Sequence, residues 1–380
     1  MLQLDFAFDD QLEEIREAEA RGSVARDPSI DAALAGNAPV YVGVSGGKDS
    51  QALAYRVQTH LDDIGHIGPR ALIHSDLGRV EWRDSLPVCE RLAERLGWEL
   101  IVVRRTAGDM MDRWLSRWAA NVERYASLSC VRLIMPWSSA SQRFCTSELK
   151  SQIIARAIRA RHPSGSVVSA VGIRREESPA RARMPVAKRD ERLTRARGIG
   201  LTWNALIHWT RAEVLDYIRA RGDVLHEAYR LYGSSRVSCA FCVLASQTDL
   251  LAAARCVDNM AILQEIVALE IRSTFSFQGK RWLADLASDL LDAPLRAALA
   301  GAKERAALRQ AAEARIPKHL LYTASWPTCM PTQEEAYLLA NIRGQVAEAV
   351  RLEADCVDAA AVLARYAGLL RERGQKERGS

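Results

Sequence analysis

The chain has 380 residues, 48% hydrophobic and 26% charged, which excludes a disordered or fibrous protein and fits two domains, or one with an appendage. No run approaches the roughly 18–20 apolar residues of a membrane helix, and MLQLDFAFDD lacks the basic-then-apolar order of a secretory leader. Net charge is only +5, from 52 basic and 47 acidic residues, so a soluble, cytoplasmic protein without membrane partners is expected.

Residues 1–38 read as helical. Leu12 to Ala20 are helix formers, and Pro28-Ser29 opens a second short helix ending near Gly36. Four apolar, β-rich runs follow: Val40 to Val44, Ala71 to His74, Leu100 to Val103 and Val167 to Val171. Helical patterns separate them, at about Asp49 to Asp63, Trp82 to Leu96 and Ser147 to Arg161. Continuous apolar strands alternating with helices predict an α/β fold, a parallel sheet with helices on both faces. Between Arg174 and Arg197, nine Lys or Arg face four Asp or Glu. Such a block attracts phosphate or nucleic acid, or is merely a solvated loop, and charge alone leaves both open. Gly198 and Gly200 mark a turn, and a helix carrying Glu213, Val214 and Tyr217 follows Trp209. From Tyr229 a Gly/Ser/Cys-rich loop leads into a mainly helical region, and RERGQKERGS reads as a frayed polar tail. The expected organisation is an N-terminal helical segment (1–38), a nucleotide-binding α/β domain (39–228) and a C-terminal domain (229–380) holding the Cys-x-x-Cys loop and helices.

The sharpest chemical feature is Ser45-Gly46-Gly47-Lys48-Asp49-Ser50, between a predicted strand and helix. Its glycines permit positive φ and close approach of an anion to the main chain. The helix start adds free N–H groups and partial positive charge. Ser45 and Ser50 add hydroxyls, and Lys48 a cation. A Walker A loop needs four residues between its glycines and Ser or Thr after the Lys. Here three separate Gly43 from Gly47, and Asp49 follows Lys48. At the end of the second strand lie His74-Ser75-Asp76-Leu77-Gly78, where open sheets bind ligands, although His74 and Asp76 also suit a turn. Arg143-Phe144-Cys145-Thr146, with Lys150 beyond, opens a helix. Gly172-Ile173-Arg174-Arg175-Glu176-Glu177-Ser178, followed by Arg181, ends the fourth strand. Arg174 and Arg181 can fork onto phosphate oxygens, or pair internally with the glutamates.

The SGGKDS string resembles the PP-loop of the ATP pyrophosphatases. With the H-x-D-x-G and G-x-R-x-x-E-S-x-x-R strings and Trp209, it makes residues 39–245 similar to PAPS-reductase-like PP-loop proteins, including the ATP pyrophosphatases of DNA phosphorothioation systems. The resemblance implies an adenine-nucleotide alpha-hydrolase-like fold that binds ATP with Mg²⁺. Ser45, Gly46, Gly47, Lys48, Asp49, Ser50, His74, Asp76 and Gly172 would hold the nucleotide, and Lys48, Asp49, Arg174 and Arg181 would serve catalysis. Asp49 would reach Mg²⁺, which favours carboxylate oxygen, though an acidic residue also suits a helix's first turn. The implied reaction is cleavage to AMP and pyrophosphate with adenylylation of an acceptor for sulfur transfer. DNA is the leading acceptor and tRNA the next, with a sulfur donor such as a cysteine desulfurase and partner subunits docking on the helical C-terminus. A sulfonucleotide (APS/PAPS) reductase is the alternative. Against it stand the intact loop and the absence of the E-C-G-x-H motif, Cys356 lacking a following Gly-x-His.

Eight cysteines are too dilute for a disulfide scaffold. Cys239-Ala240-Phe241-Cys242 by itself suits zinc, a redox dithiol or an iron–sulfur cluster. There is no second Cys-x-x-Cys for zinc, and the pair follows a Gly/Ser loop rather than opening a helix after a strand. The family resemblance implies a [4Fe–4S] cluster held by Cys145, Cys239 and Cys242, with Cys256 the expected fourth ligand. Cys256 also reads as a small hydrophobe buried in a helix.

Overall fold

The computed structural model describes residues 22–378. Leu12 to Ala20 lie outside them. The chain divides into two compact units, the first formed by the described residues through Asp109 together with Arg143–Asn259.

That unit contains β1 (Val40–Val44), β2 (Arg70–Asp76), β3 (Glu99–Arg104), β4 (Val167–Ala170), β5 (Ala187–Arg189) and β6 (Gly200–Trp203). They form one sheet in the order β3-β2-β1-β4-β6-β5, parallel throughout except for β5 against β6. Successive side chains of a strand point to opposite faces, so a sheet covered twice needs apolar residues at every position. In β1, Val40 and Val42 join Leu53 and Val57 of the helix Lys48–Asp63. Tyr41 turns to the other face, with Ile73, Ile101 and Ile158. The chain runs outward from β1 to β2 and β3, then returns at the opposite edge of β1 with β4. The crevice beyond the carboxyl ends of β1 and β4 is therefore a topological switch point, where open α/β sheets bind ligands.

Strands β5 and β6 were not among the predicted runs. Gly-Leu-Thr-Trp has no apolar run, and tertiary pairing with β4 supplies its burial. Gly200 is required there, since a Cβ would lie 2.2 Å from that of Leu193. The basic stretch is structured in part: β5 crosses it, and buried Asp190 accepts from Arg192 Nε at 2.8 Å and from Thr202 Oγ1 at 3.1 Å. The helix expected from Trp82 starts instead at Ser85, because the backbone of Glu81 pairs with Cys239.

The second unit comprises 110–142 and the described residues from Met260. Its longer helices are Met110–Ala126, Met260–Ser273, Ala293–Ala314, Gln333–Val350 and Ala359–Arg378; the last takes in residues 371–378 of the tail expected to fray, which is helical there instead. Trp114, Trp137 and Phe277 pack edge to face, with ring centroids 5.0–5.8 Å apart. Buried Glu270 accepts N–H bonds from Phe277, Leu283 and Ala284 at 2.6, 2.8 and 3.1 Å. These units differ from the expected domains at both ends. Pro28–Ala35 puts Ile30 and Leu34 into the core of the sheet, and residues 229–259, with the Cys-x-x-Cys loop, belong to the α/β unit.

Candidate functional site: a glycine turn and its cleft

β1 delivers Ser45, Gly46 and Gly47 to the crevice, and the Lys48–Asp63 helix begins at once. Gly46 has φ +72°, and a Cβ there would meet the Ser85 carbonyl oxygen at 2.9 Å, so no other residue fits. Gly47, extended at φ −79°, caps the helix without a side-chain bond. Of the first-turn N–H groups, that of Ser50 donates to the Gly47 carbonyl at 3.0 Å; a helix start of this kind suits an anion. Another, the Lys48 N–H, donates to the Tyr229 hydroxyl at 3.2 Å. Ser50 braces the turn: its Oγ donates to the Gly47 carbonyl at 2.8 Å and accepts the Ser45 N–H at 3.2 Å.

This turn forms the floor of a cleft of about 310 Å³. Ser45, Gly47, Asp49 and Ser50 line one side and Gly172 another, while Arg143, Lys150, Arg181 and Arg236 enter from three separate segments. Gly172 permits the loop after β4 to close on the helix, since a Cβ would lie 2.9 Å from the Asp49 carbonyl oxygen.

The remaining expected residues are placed less directly. Asp49 lines the cleft, but Arg174 Nε holds its Oδ1 at 2.6 Å and Lys48 Nζ its Oδ2 at 3.1 Å. Each oxygen is thus engaged by a cation, and direct ligation of Mg²⁺ does not fit this arrangement. Lys48 is buried, with Nζ 5.3 Å from the centre of the Tyr229 ring and 3.5 Å from the Ser235 carbonyl oxygen. Neither Lys48 nor Arg174 lines the cleft. Arg174 is buried and also pairs with Glu176, so the internal Arg–Glu alternative describes it as placed. Arg181 does line the cleft while pairing with Glu177.

Asp76 forms a turn: Oδ1 accepts the Gly78 N–H at 2.7 Å, and Oδ2 pairs with Arg104. His74 is fully buried behind the cleft wall. Its Nδ1 lies 3.0 Å from the Val44 carbonyl oxygen, and its Nε2 lies 3.3 Å from Oε1 of Glu81, which lines the cleft. The Val44 carbonyl can only accept, which puts a proton on Nδ1, and the Glu81 carboxylate beside Nε2 favours the charged ring. Burial opposes that charge, but Cys89 and Glu81 outweigh it and raise the pKa to about 10. His226 is the opposite case. Burial holds it down to about 4, and its Nδ1 accepts the Ala228 N–H at 3.0 Å as a neutral ring must.

Cys145, Cys239 and Cys242 are half-buried, and Cys239 feels the charges of the other two. Burial pushes the Cys239 thiol up to about 12, against the pull of Lys150. Cys256 is buried beside the Tyr232 side chain. Among the described residues no group of three or more His, Cys, Asp or Glu side chains is placed to hold a metal ion. The four-cysteine cluster set therefore does not fit as placed. Sequence reasoning missed Tyr229, Glu81 and Arg236. Glu81 stands only three residues beyond a recognised string, whereas tertiary folding brings Arg236 to the cleft and Tyr229 to Lys48, and neither carries a local signal.

The phosphoadenosine phosphosulfate reductase domain family matches residues 39–244, more than half of the chain. The chain belongs to this family. An uncharacterised 37.8 kDa protein of Escherichia phage 186 is 26% identical over 238 residues, spanning 55% of this chain and 68% of the phage protein. Among solved structures, phosphoadenylyl-sulfate reductase from Candida auris in a phosphate complex is 15% identical, with a TM-score of 0.34 over 53% of this chain and 80% of that one. The U34-tRNA thiolase NcsA from Methanococcus maripaludis, with its [4Fe-4S] cluster, is 14% identical, with a TM-score of 0.37 over 74% and 79%. FMN adenylyltransferase from Candida glabrata, with FMN and an ATP analogue, is 12% identical, with a TM-score of 0.38 over 61% and 64%. Likeness at this level carries nothing about chemistry.

Proposed function

We propose that this PAPS-reductase-like PP-loop protein is an ATP pyrophosphatase that adenylylates an acceptor for sulfur transfer. One observation carries the reading: an intact SGGKDS turn that opens a helix sits at the β1/β4 switch point, in a cleft entered by Arg143, Lys150, Arg181 and Arg236. The turn holds the β,γ-diphosphate of ATP. An acceptor oxygen attacks the α-phosphorus, the bond from that phosphorus to the α,β-bridging oxygen breaks, and pyrophosphate leaves. The chain's own contribution is preorganised positive charge, which needs no rearrangement as the leaving group gains charge. Lys48 and Arg174 act through Asp49, fixing the first turn of the helix, and Gly172 lets the wall close on it. A sulfur nucleophile passed from a donor such as a cysteine desulfurase then displaces AMP.

The preferred acceptor is DNA, as in phosphorothioation, with tRNA second; the surplus of basic residues between Arg174 and Arg197, of which Arg174 itself is buried, supports a polyanion. The test is turnover of α-labelled ATP by the purified protein, alone and with DNA or tRNA. AMP with pyrophosphate is expected, and cleavage to ADP sinks the assignment. The family's own description favours a second reading, a sulfonucleotide reductase. Cys356 offers it little support: it sits half-buried at φ +57°, its carbonyl held by Arg343 Nε at 3.1 Å. Sulfite production from APS or PAPS would establish that alternative.

A further inference from the structure

The hydroxyl of Tyr229 joins two segments that the sequence keeps far apart. Its oxygen accepts the Lys48 N–H at 3.2 Å and the Val237 N–H at 3.1 Å, which uses both lone pairs of a phenol. Lys48 N–H belongs to the helix start that an anion would occupy in the nucleotide reading. Val237 lines the same cleft and stands two residues before Cys239. The two segments are pressed together here: a Cβ on Gly47 would lie 3.3 Å from Val237 Cβ and 3.4 Å from the Tyr229 oxygen. Beyond Val237 the thiol segment is anchored at both ends. Asp249 Oδ1 accepts the Ser235 N–H at 2.6 Å, and Ala240 N–H donates to the Val80 carbonyl at 2.8 Å. Between those anchors, Val237 is tied to the anion-binding turn through one hydroxyl.

We propose that Tyr229 is a positioning residue that couples occupancy of the anion-binding turn to the order of the segment carrying Cys239 and Cys242. The proposal rests on the nucleotide reading above. A phosphate oxygen that takes the Lys48 N–H relieves the phenol of one donor. The phenol O–H then turns to the anion, and a hydroxyl that donates to a charged oxygen accepts more strongly in turn. Its bond from Val237 N–H tightens. Filling the turn therefore stiffens the thiol segment.

Hydrogen–deuterium exchange of peptides covering residues 234–242, with inorganic pyrophosphate as the probe and calorimetry to establish binding, tests this. In the wild-type protein, saturating pyrophosphate is expected to slow exchange there at least about threefold, in keeping with a strengthened single bond. Tyr229→Phe keeps the ring beneath Lys48 and removes only the hydroxyl. Its segment should exchange faster without anion and be insensitive to pyrophosphate, and pyrophosphate should bind somewhat more tightly because the Lys48 N–H is no longer shared. Equal slowing in wild type and variant overturns the coupling, as does bound pyrophosphate without slowing in the wild type. If Tyr229→Phe fails to fold, the wild-type arm still decides. Calorimetric silence in wild type and variant alike strikes the nucleotide reading itself, and the coupling with it.

Discussion

A charged histidine buried behind the cleft makes a testable demand on stability. Replacing His74 by Asn keeps a donor near the Val44 carbonyl but removes the charge facing Glu81. In the folded chain the His74 pKa is about 10 against an ordinary 6.5. Because it is raised on folding, its contribution is complete below pH 6.5 and is lost as pH climbs from 6.5 through 10. Taken at face value the shift corresponds to about 5 kcal/mol, an upper bound that includes shares belonging to Glu81 and Cys89. About 2 kcal/mol is the expected measured value. Urea unfolding of wild type and His74→Asn, at half-unit steps between pH 6 and 10, gives the difference directly. The wild-type advantage should shrink across that window. A pH-independent difference, or an imidazole that titrates near 6.5 by NMR, would refute the argument from the Val44 carbonyl and the Glu81 carboxylate.

Other perturbations test neighbouring parts of the site. Asp49→Asn removes the charge that gathers Lys48 and Arg174, and pyrophosphate release should fall at least about 100-fold with the circular dichroism unchanged, a loss typical of a disrupted preorganised site; undiminished release removes Asp49 from the mechanism. Gly172→Ala drives a methyl onto the Asp49 carbonyl, so unfolding midpoints should drop by the equivalent of about 1–3 kcal/mol, and an unchanged midpoint would show that the wall gives way freely. Cys256→Ser should leave the iron and sulfide content of anaerobically purified protein unaltered, since that thiol is buried beside Tyr232; loss of iron in this variant would restore Cys256 as a ligand. Burial raises the Glu270 pKa to about 7, so its stabilising share is present below pH 4.5 and lost as pH rises through 7. Glu270→Gln should flatten that part of the stability–pH profile, and a profile identical to wild type would contradict it.

The sheet was legible because each of its first four strands carries its own apolar run, and the helices between them their own periodicity. The short strands β5 and β6 were not, because their order comes from partners: β6 is Gly-Leu-Thr-Trp laid against β4. The strand–turn–helix at Ser45–Ser50 was legible in the sequence, since Gly46, at φ +72°, has a backbone reason to be glycine. Side-chain direction was the harder quantity. Lys48 and Arg174 look from their strings like phosphate contacts, yet both turn to Asp49, and only the folded neighbourhood of Tyr229 and Glu176 explains why. Cys256 illustrates the same limit, for a spacing of fourteen residues says nothing about which way a thiol faces.

The chain enters the helical unit at Met110, leaves it at Gln142 and returns at Met260. Excising either unit is therefore not a matter of a single cut. A fragment ending at Asn259 would retain Trp114 and Trp137 but forfeit Phe275 and Phe277, which their rings meet. It would display a raw indole surface and invite aggregation, whereas a version with residues 110–142 replaced by a short flexible bridge would spare the sheet that exposure.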